Sequence, residues 1–147
     1  MPMSDETNAG RTVITFGTFD VFHIGHLAIL ERAAHLGTRL VVGVSSDELN
    51  IAKKGRPTVY PYFARAAIVG ALRCVDEVFS EESLELKRSY VEKYGADVLV
   101  MGHDWTGRFD QLRDLCEVVY LPRTPSISTT ATIERIQLLP PAAGAAG

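Results

Sequence analysis

Four short apolar runs, rich in β-branched residues and free of charge, limit what this chain can fold into. They are Thr12–Phe16, Leu40–Val44, Val98–Met101 and Val118–Leu121. Val75–Phe79 is a weaker fifth, interrupted by Asp76 and Glu77. A strand with one wet face alternates apolar and polar residues. A nearly continuous apolar run instead predicts a strand covered on both faces. Between the runs the apolar spacing becomes helical. Ile24–Leu36 sets Leu27, Leu30 and Ala34 on one face and Glu31, Arg32 and His35 on another, with Gly37 closing it. Pro61–Leu72 begins with a proline suited to a first helical position. Ser83–Tyr94 opens on a capping serine and stops at Gly95, and Thr130–Leu138 follows a Ser/Thr cluster. Strand and helix therefore alternate, which predicts an α/β fold with an open parallel sheet of about five strands and helices on both faces. Ligands of such sheets sit beyond the carboxyl ends of the strands, so the loops that follow strands carry the functional question.

The chain has 147 residues, 46% hydrophobic and 22% charged, which fits one domain with a real core. We expect residues 11–139 to be that domain, with loose tails at 1–10 and 140–147. The first ten residues lack the charged start and apolar stretch of a secretory signal. Fifteen Lys and Arg against eighteen Asp and Glu give a net charge of −3. That balance argues against a nucleic-acid surface and requires any anion to be gripped locally. No apolar run approaches the roughly 18 residues of a membrane span. Cys74 and Cys116 lie far apart among apolar neighbours and read as reduced, mostly buried thiols.

The loop after the first strand reads Gly17-Thr18-Phe19-Asp20-Val21-Phe22-His23-Ile24-Gly25-His26. Gly17 allows a close turn, and the free N–H groups of the following helix point into the loop, as at many phosphate sites. His23 and His26, three apart, face the same way on a first helical turn. They could donate hydrogen bonds to phosphate oxygens as charge builds. Gly25 leaves room for a nucleotide. A plain helix-capping role is the alternative. Asp20 either orients this loop or makes an Asx turn. No Gly-Lys-Ser/Thr follows, so this is not a P-loop. A second anion cradle is read at Arg123 with Ser128, Thr129 and Thr130, where hydroxyls precede the last helix. Asp104 and Trp105 follow the fourth strand, where the carboxylate could order a nucleotide or Mg²⁺. Lys53, Lys54 and Arg56 form a basic run in what reads as a long loop after the second strand. His35 reads as a surface residue.

GTFDVFHIGH resembles the signature of the cytidylyltransferase branch of the HIGH-motif nucleotidyltransferases. Arg123–Thr130, RTPSISTT, resembles that family's second signature, RTxGISTT, and Met101–Trp105 is similar to a third segment. The resemblance runs through nearly the whole ordered chain and implies the Rossmann-like, nucleotidyltransferase type of sheet. It implies His23, His26 and Arg123 as catalytic residues. The implied nucleotide set is Thr18, Phe19, His23, Gly25, His26, Arg73, Asp104, Trp105, Arg123, Thr124, Ile127, Ser128 and Thr129. Lys53 and Lys87 would take the acceptor phosphate. Arg65 and Arg73, roughly 80° apart on one helix, would both turn toward the site. Ser126 departs from the family's glycine, which bears on the fine geometry of the triphosphate loop. Within the family the chain resembles the branch acting on glycerol 3-phosphate. CTP, Mg²⁺ bound through the triphosphate, a homodimer and a cytoplasmic setting are implied with it. Another phosphorylated alcohol or sugar, ATP in place of CTP, or a non-catalytic nucleotide-binding module are the competing readings.

Overall fold

The computed structural model describes residues 10–123 and 128–141. Five strands form: β1 (Thr12–Gly17), β2 (Arg39–Ser45), β3 (Glu77–Glu81), β4 (Val98–Gly102) and β5 (Glu117–Leu121). They pair in the order β3-β2-β1-β4-β5, every pair parallel. The helices are α1 (Ile24–Ala34), α2 (Asp47–Lys54), α3 (Tyr62–Gly70), α4 (Lys87–Lys93) and α5 (Thr129–Leu138). Short 3₁₀ turns occupy Leu84–Leu86, His103–Trp105 and Asp110–Leu112.

The continuous apolar runs have the consequence expected of them. Ile14, Phe16, Val41, Leu99, Met101 and Val118 pack on one face with Val91 of α4, Phe109 and Leu112. Val13, Leu40, Val42, Val44, Val98 and Val100 pack on the other, under Leu30 and Ala33 of α1 and Val69 of α3. Each such buried Val or Leu contributes about 1.5–3 kcal/mol, so both faces are stabilised by their cover. Gly43 of β2 is a packing requirement. A Cβ there would lie 2.6 Å from Phe16 and 2.7 Å from Phe79. Its absence lets those rings meet edge to face at 5.8 Å.

Three expected elements are corrected. The basic run does not lie in a long loop, because Asp47–Lys54 is helical. The Ser46 hydroxyl accepts from the Leu49 N–H, Asp47 and Glu48 occupy the first turn, Lys53 and Lys54 the last, and Gly55 closes it at φ 71°. The third helical stretch ends at Gly70, so Arg73 lies beyond α3 and does not share a helix face with Arg65. Ser83–Tyr94 divides into a 3₁₀ turn and the shorter α4. Both cysteines are free; Cys116 is buried and Cys74 half-buried. Among the described residues no helix is long and apolar enough to cross a membrane. Most of the two expected tails, residues 1–9 and 142–147, lies outside the described residues.

The strand order places the site. From central β1 the chain steps outward to β2 and β3, then returns to β4 on the other side and continues to β5. The crevice between the carboxyl ends of β1 and β4 is the switch point, and Gly17 and Gly102 end the two strands there.

Candidate active site

Beyond Gly17 the backbone folds back so tightly that a Cβ on this residue would lie 2.8 Å from the Phe19 ring. Phe19 and Val21 then adopt left-handed backbone angles, φ 55° and 47°. Each costs about 1–3 kcal/mol in a residue with a side chain, so something must hold them. Asp20 lies between them and is buried. Its Oδ1 accepts from the N–H groups of Val21 and Tyr60 at 3.1 and 2.9 Å, and its Oδ2 from Val59 at 2.8 Å. Its carbonyl accepts from Thr129 Oγ1 at 3.0 Å. Of the two readings of Asp20, the geometry favours orientation of the loop: it ties β1's exit to residues 59–60 and to the start of α5.

The histidines cap α1 reciprocally. His23 Nδ1 accepts from the Gly25 N–H at 3.0 Å, and His26 Nδ1 accepts from the His23 N–H at 3.2 Å. The cap uses only the Nδ1 atom of each ring. With both Nδ1 atoms accepting, each neutral ring carries its proton on Nε2. The rings stack with centroids 3.8 Å apart. Burial, then the neighbouring His23, pushes His26 down to about 4 despite the opposing charge of Asp20. Burial also lowers His23. Both imidazoles are thus neutral donors near pH 7. Thr129 Oγ1 lies 3.4 Å from His23 Nε2 and links the pair to α5. Ser128 caps that helix, its hydroxyl accepting from the Ala131 N–H at 3.0 Å.

A cleft of about 430 Å³ opens at the end of β1, lined by Thr18, Phe19 and Arg56 among others. It continues into a space of about 360 Å³ at the ends of β4 and β5, lined by His23, Gly25, Asp104, Trp105, Arg123 and Ser128. His26, Ile29, Lys54 and Thr129 line both parts. One cleft thus gathers most of the residues read from the sequence. Arg123 reaches across to Asp104 in an ion pair between exposed side chains. Thr124, Ile127 and the departure at Ser126 lie outside the described residues.

The remaining basic residues separate. Arg73 is exposed and lines a different cavity, with Leu27, Glu31, Ala71, Leu72 and Cys74, so the structure does not bring it to the cleft. Arg65 is fully buried and faces no ligand space. Its guanidinium donates to the carbonyls of Tyr60, Thr18 and Ser45 at 2.8–2.9 Å and pairs with Asp47 at 2.8 Å. Lys53 is half-buried, whereas its neighbour Lys54 lines the cleft. Lys87, an ordinary exposed lysine by its sequence context alone, is buried and paired with the buried Glu81.

Sequence reasoning missed Asn50. This fully buried amide accepts from Thr18 Oγ1 at 3.0 Å and Ser45 Oγ at 3.2 Å, and donates to the Ser46 carbonyl at 3.0 Å. Its only sequence signal is its place four residues after Ser46, which is invisible until the helix is recognised.

A parallel sheet whose switch point collects imidazole donors, cations and two helix N-termini is the class of site that handles phosphate esters. The cytidylyltransferase-like family model matches residues 14–135, and the chain belongs to that family. It is 49% identical to a glycerol-3-phosphate cytidylyltransferase from Bacillus subtilis, over 86% of this chain and 97% of the relative. It is 47% identical to the enzyme of the same name from Staphylococcus aureus, over 82% and 90%. A lipopolysaccharide core biosynthesis protein from Thermoplasma volcanium shares the fold, with a TM-score of 0.67 at 22% identity over 78% of this chain and 98% of that one.

Proposed function

We propose that this protein transfers CMP from CTP to glycerol 3-phosphate, giving CDP-glycerol and pyrophosphate. The relatives named for that activity match along nearly their whole length. Within this chain the observation that carries the reading is the histidine pair, whose backbone cap engages only the Nδ1 atoms while both rings line the cleft.

An oxygen of the acceptor phosphate attacks the α-phosphorus of CTP in line. The bond from that phosphorus to the bridging oxygen breaks, and its electron pair leaves with pyrophosphate. His23 and His26 donate from Nε2 to the α-phosphate oxygens, and these bonds strengthen as charge accumulates. No covalent enzyme intermediate is needed; positioning and charge stabilisation supply the rate. Arg123 and the hydroxyls of Ser128 and Thr129 hold the departing pyrophosphate, with Thr124 and Ile127 in the same set. Thr18, Phe19, Gly25, Asp104 and Trp105 bound the nucleotide. Lys53 and Lys87 serve the acceptor phosphate. The cationic and hydroxylic donors of the cleft suit phosphate oxygens, which fits Mg²⁺ carried in on the triphosphate to neutralise its charge.

The reading is tested by incubating the protein with CTP, Mg²⁺ and a panel of phosphorylated alcohols and sugars while following pyrophosphate. Turnover fastest with glycerol 3-phosphate supports it. Preference for another acceptor or for ATP replaces the substrate, and no pyrophosphate with any acceptor leaves a nucleotide-binding module. The working state we propose is a cytoplasmic homodimer, for which light scattering would give twice the 16.1 kDa chain mass. The two free thiols suit a reducing compartment.

A further inference from the structure

We propose that Glu81 is a positioning residue for acceptor binding, its buried carboxylate pairing with Lys87 and its backbone tied to the start of α2, whose last turn carries Lys53. The inference rests on the reading that these two lysines serve the acceptor phosphate. Glu81 ends β3, opposite Ser45 of β2, and its carbonyl accepts from the Ser46 N–H at 2.9 Å. It is therefore fixed to the start of α2, the helix whose last turn carries Lys53. Its side chain is almost wholly buried and accepts from Lys87 Nζ, which arrives from α4. The same Nζ lies 4.4 Å from the centre of the Phe16 ring, and Phe16 is one of the residues that line the cleft.

A buried Lys–Glu pair is a poor device for stability, because apolar side chains of similar volume hold a fold as well or better. It is a good device for keeping ammonium groups protonated where burial disfavours charge. Burial lowers both Lys53 and Lys87, and Glu81 is the charge that opposes the fall in each. Lys54, Lys87 and Arg65 repel Lys53 in the same direction as burial.

The test is Glu81→Gln, assayed with glycerol 3-phosphate and CTP varied separately across pH. We expect KM for glycerol 3-phosphate to rise about tenfold or more, with KM for CTP changed less than twofold. The alkaline limb of kcat/KM for glycerol 3-phosphate should move to lower pH by about one unit or more, since the lysines lose an opposite charge. A role confined to stability would lower the melting temperature and leave that limb in place. If E81Q does not fold, Glu81→Asp takes over: it keeps the charge but withdraws it, so the limb stays and KM for glycerol 3-phosphate rises severalfold. Unchanged KM and an unmoved limb in E81Q, or unchanged KM in E81D, overturn the inference while an active wild type upholds the acceptor reading. A wild type inactive on glycerol 3-phosphate overturns both.

Discussion

The two walls of the cleft are built differently. The wall after β1 is buried and over-determined. Phe19 and Asp20 are 6% and 8% exposed, two residues sit at left-handed angles, and both imidazoles spend one nitrogen on backbone hydrogen bonds. The wall after β4 and β5 is open. Asp104 and Arg123 have side chains 62% and 63% exposed and meet in a single ion pair. Groups that stabilise a transition state work best when nothing has to reorganise at the moment of reaction. Groups that admit a nucleotide and release a leaving group must be able to move. On the proposed reaction this contrast would put fixed neutral donors at the reacting phosphorus and solvent-exposed charges where substrate and product pass.

The largest expected effects fall on the fixed wall. Arg65→Met removes a fully buried guanidinium that joins the Thr18 and Tyr60 carbonyls to Asp47. It should cost about 3–5 kcal/mol of unfolding free energy in urea titrations, because the partners are left unpaired. A loss below 1 kcal/mol would mean that the wall is not held as described. His26→Ala comes next. It should lower kcat about 10²–10³-fold, the usual cost of one transition-state donor. KM for CTP should move less, and the circular dichroism spectrum should match the wild type. Near-normal turnover in a folded variant would remove the imidazole pair from the mechanism.

The fixed wall was also the legible one. Its residues are contiguous, so one stretch of sequence displayed the turn glycine, the two imidazoles and the helix start together. The sheet was legible because burial on both faces leaves uninterrupted apolar runs. Helix α2 was not, since it is short and mostly polar: Asp47, Glu48, Asn50, Lys53 and Lys54 crowd its eight residues. Its caps, Ser46 and Gly55, bracket only eight residues, few of them apolar. Arg65 and Arg73 looked equivalent as basic residues on one helical pattern. The helix ends between them, and one became buried framework while the other faced away. Lys87 and Glu81 could not be paired from sequence, because burial of a charge depends on what the tertiary fold brings over it.

The fixed wall predicts a pH signature that the open wall does not share. His26 titrates near 6.5 when unfolded and at about 4 when folded. Its folded value is depressed, so the unfolded chain binds the extra proton first. The stability from its neutral burial is complete above pH 6.5 and is lost as pH falls from there toward 4. The slope attributable to this ring is about 1.4 kcal/mol per pH unit across that window. Urea titrations of wild type and His26→Gln at pH 7, 6 and 5 check it. The variant should show a shallower decline, and parallel declines would mean that the ring is not buried in its neutral form.

The smallest expected effect belongs to the open wall. Asp104→Asn removes a charge from an ion pair whose partners are both mostly in water, so it should change stability by less than about 1 kcal/mol. The same substitution at Asp20 turns one acceptor oxygen into an amide donor that must face either the Val59 N–H or those of Val21 and Tyr60, and should cost about 2–3 kcal/mol. Their assay profiles should differ as well. Asp104→Asn should change KM for CTP a few-fold, with an effect that shrinks as salt screens Arg123. Asp20→Asn should lower kcat with little dependence on salt, because its hydrogen bonds lie away from solvent. Equal stability costs for the two variants would break the division between the walls. A salt-dependent Asp104→Asn beside a salt-independent Asp20→Asn would sharpen it, since it would trace the difference to solvent exposure rather than to distance from the reacting phosphorus.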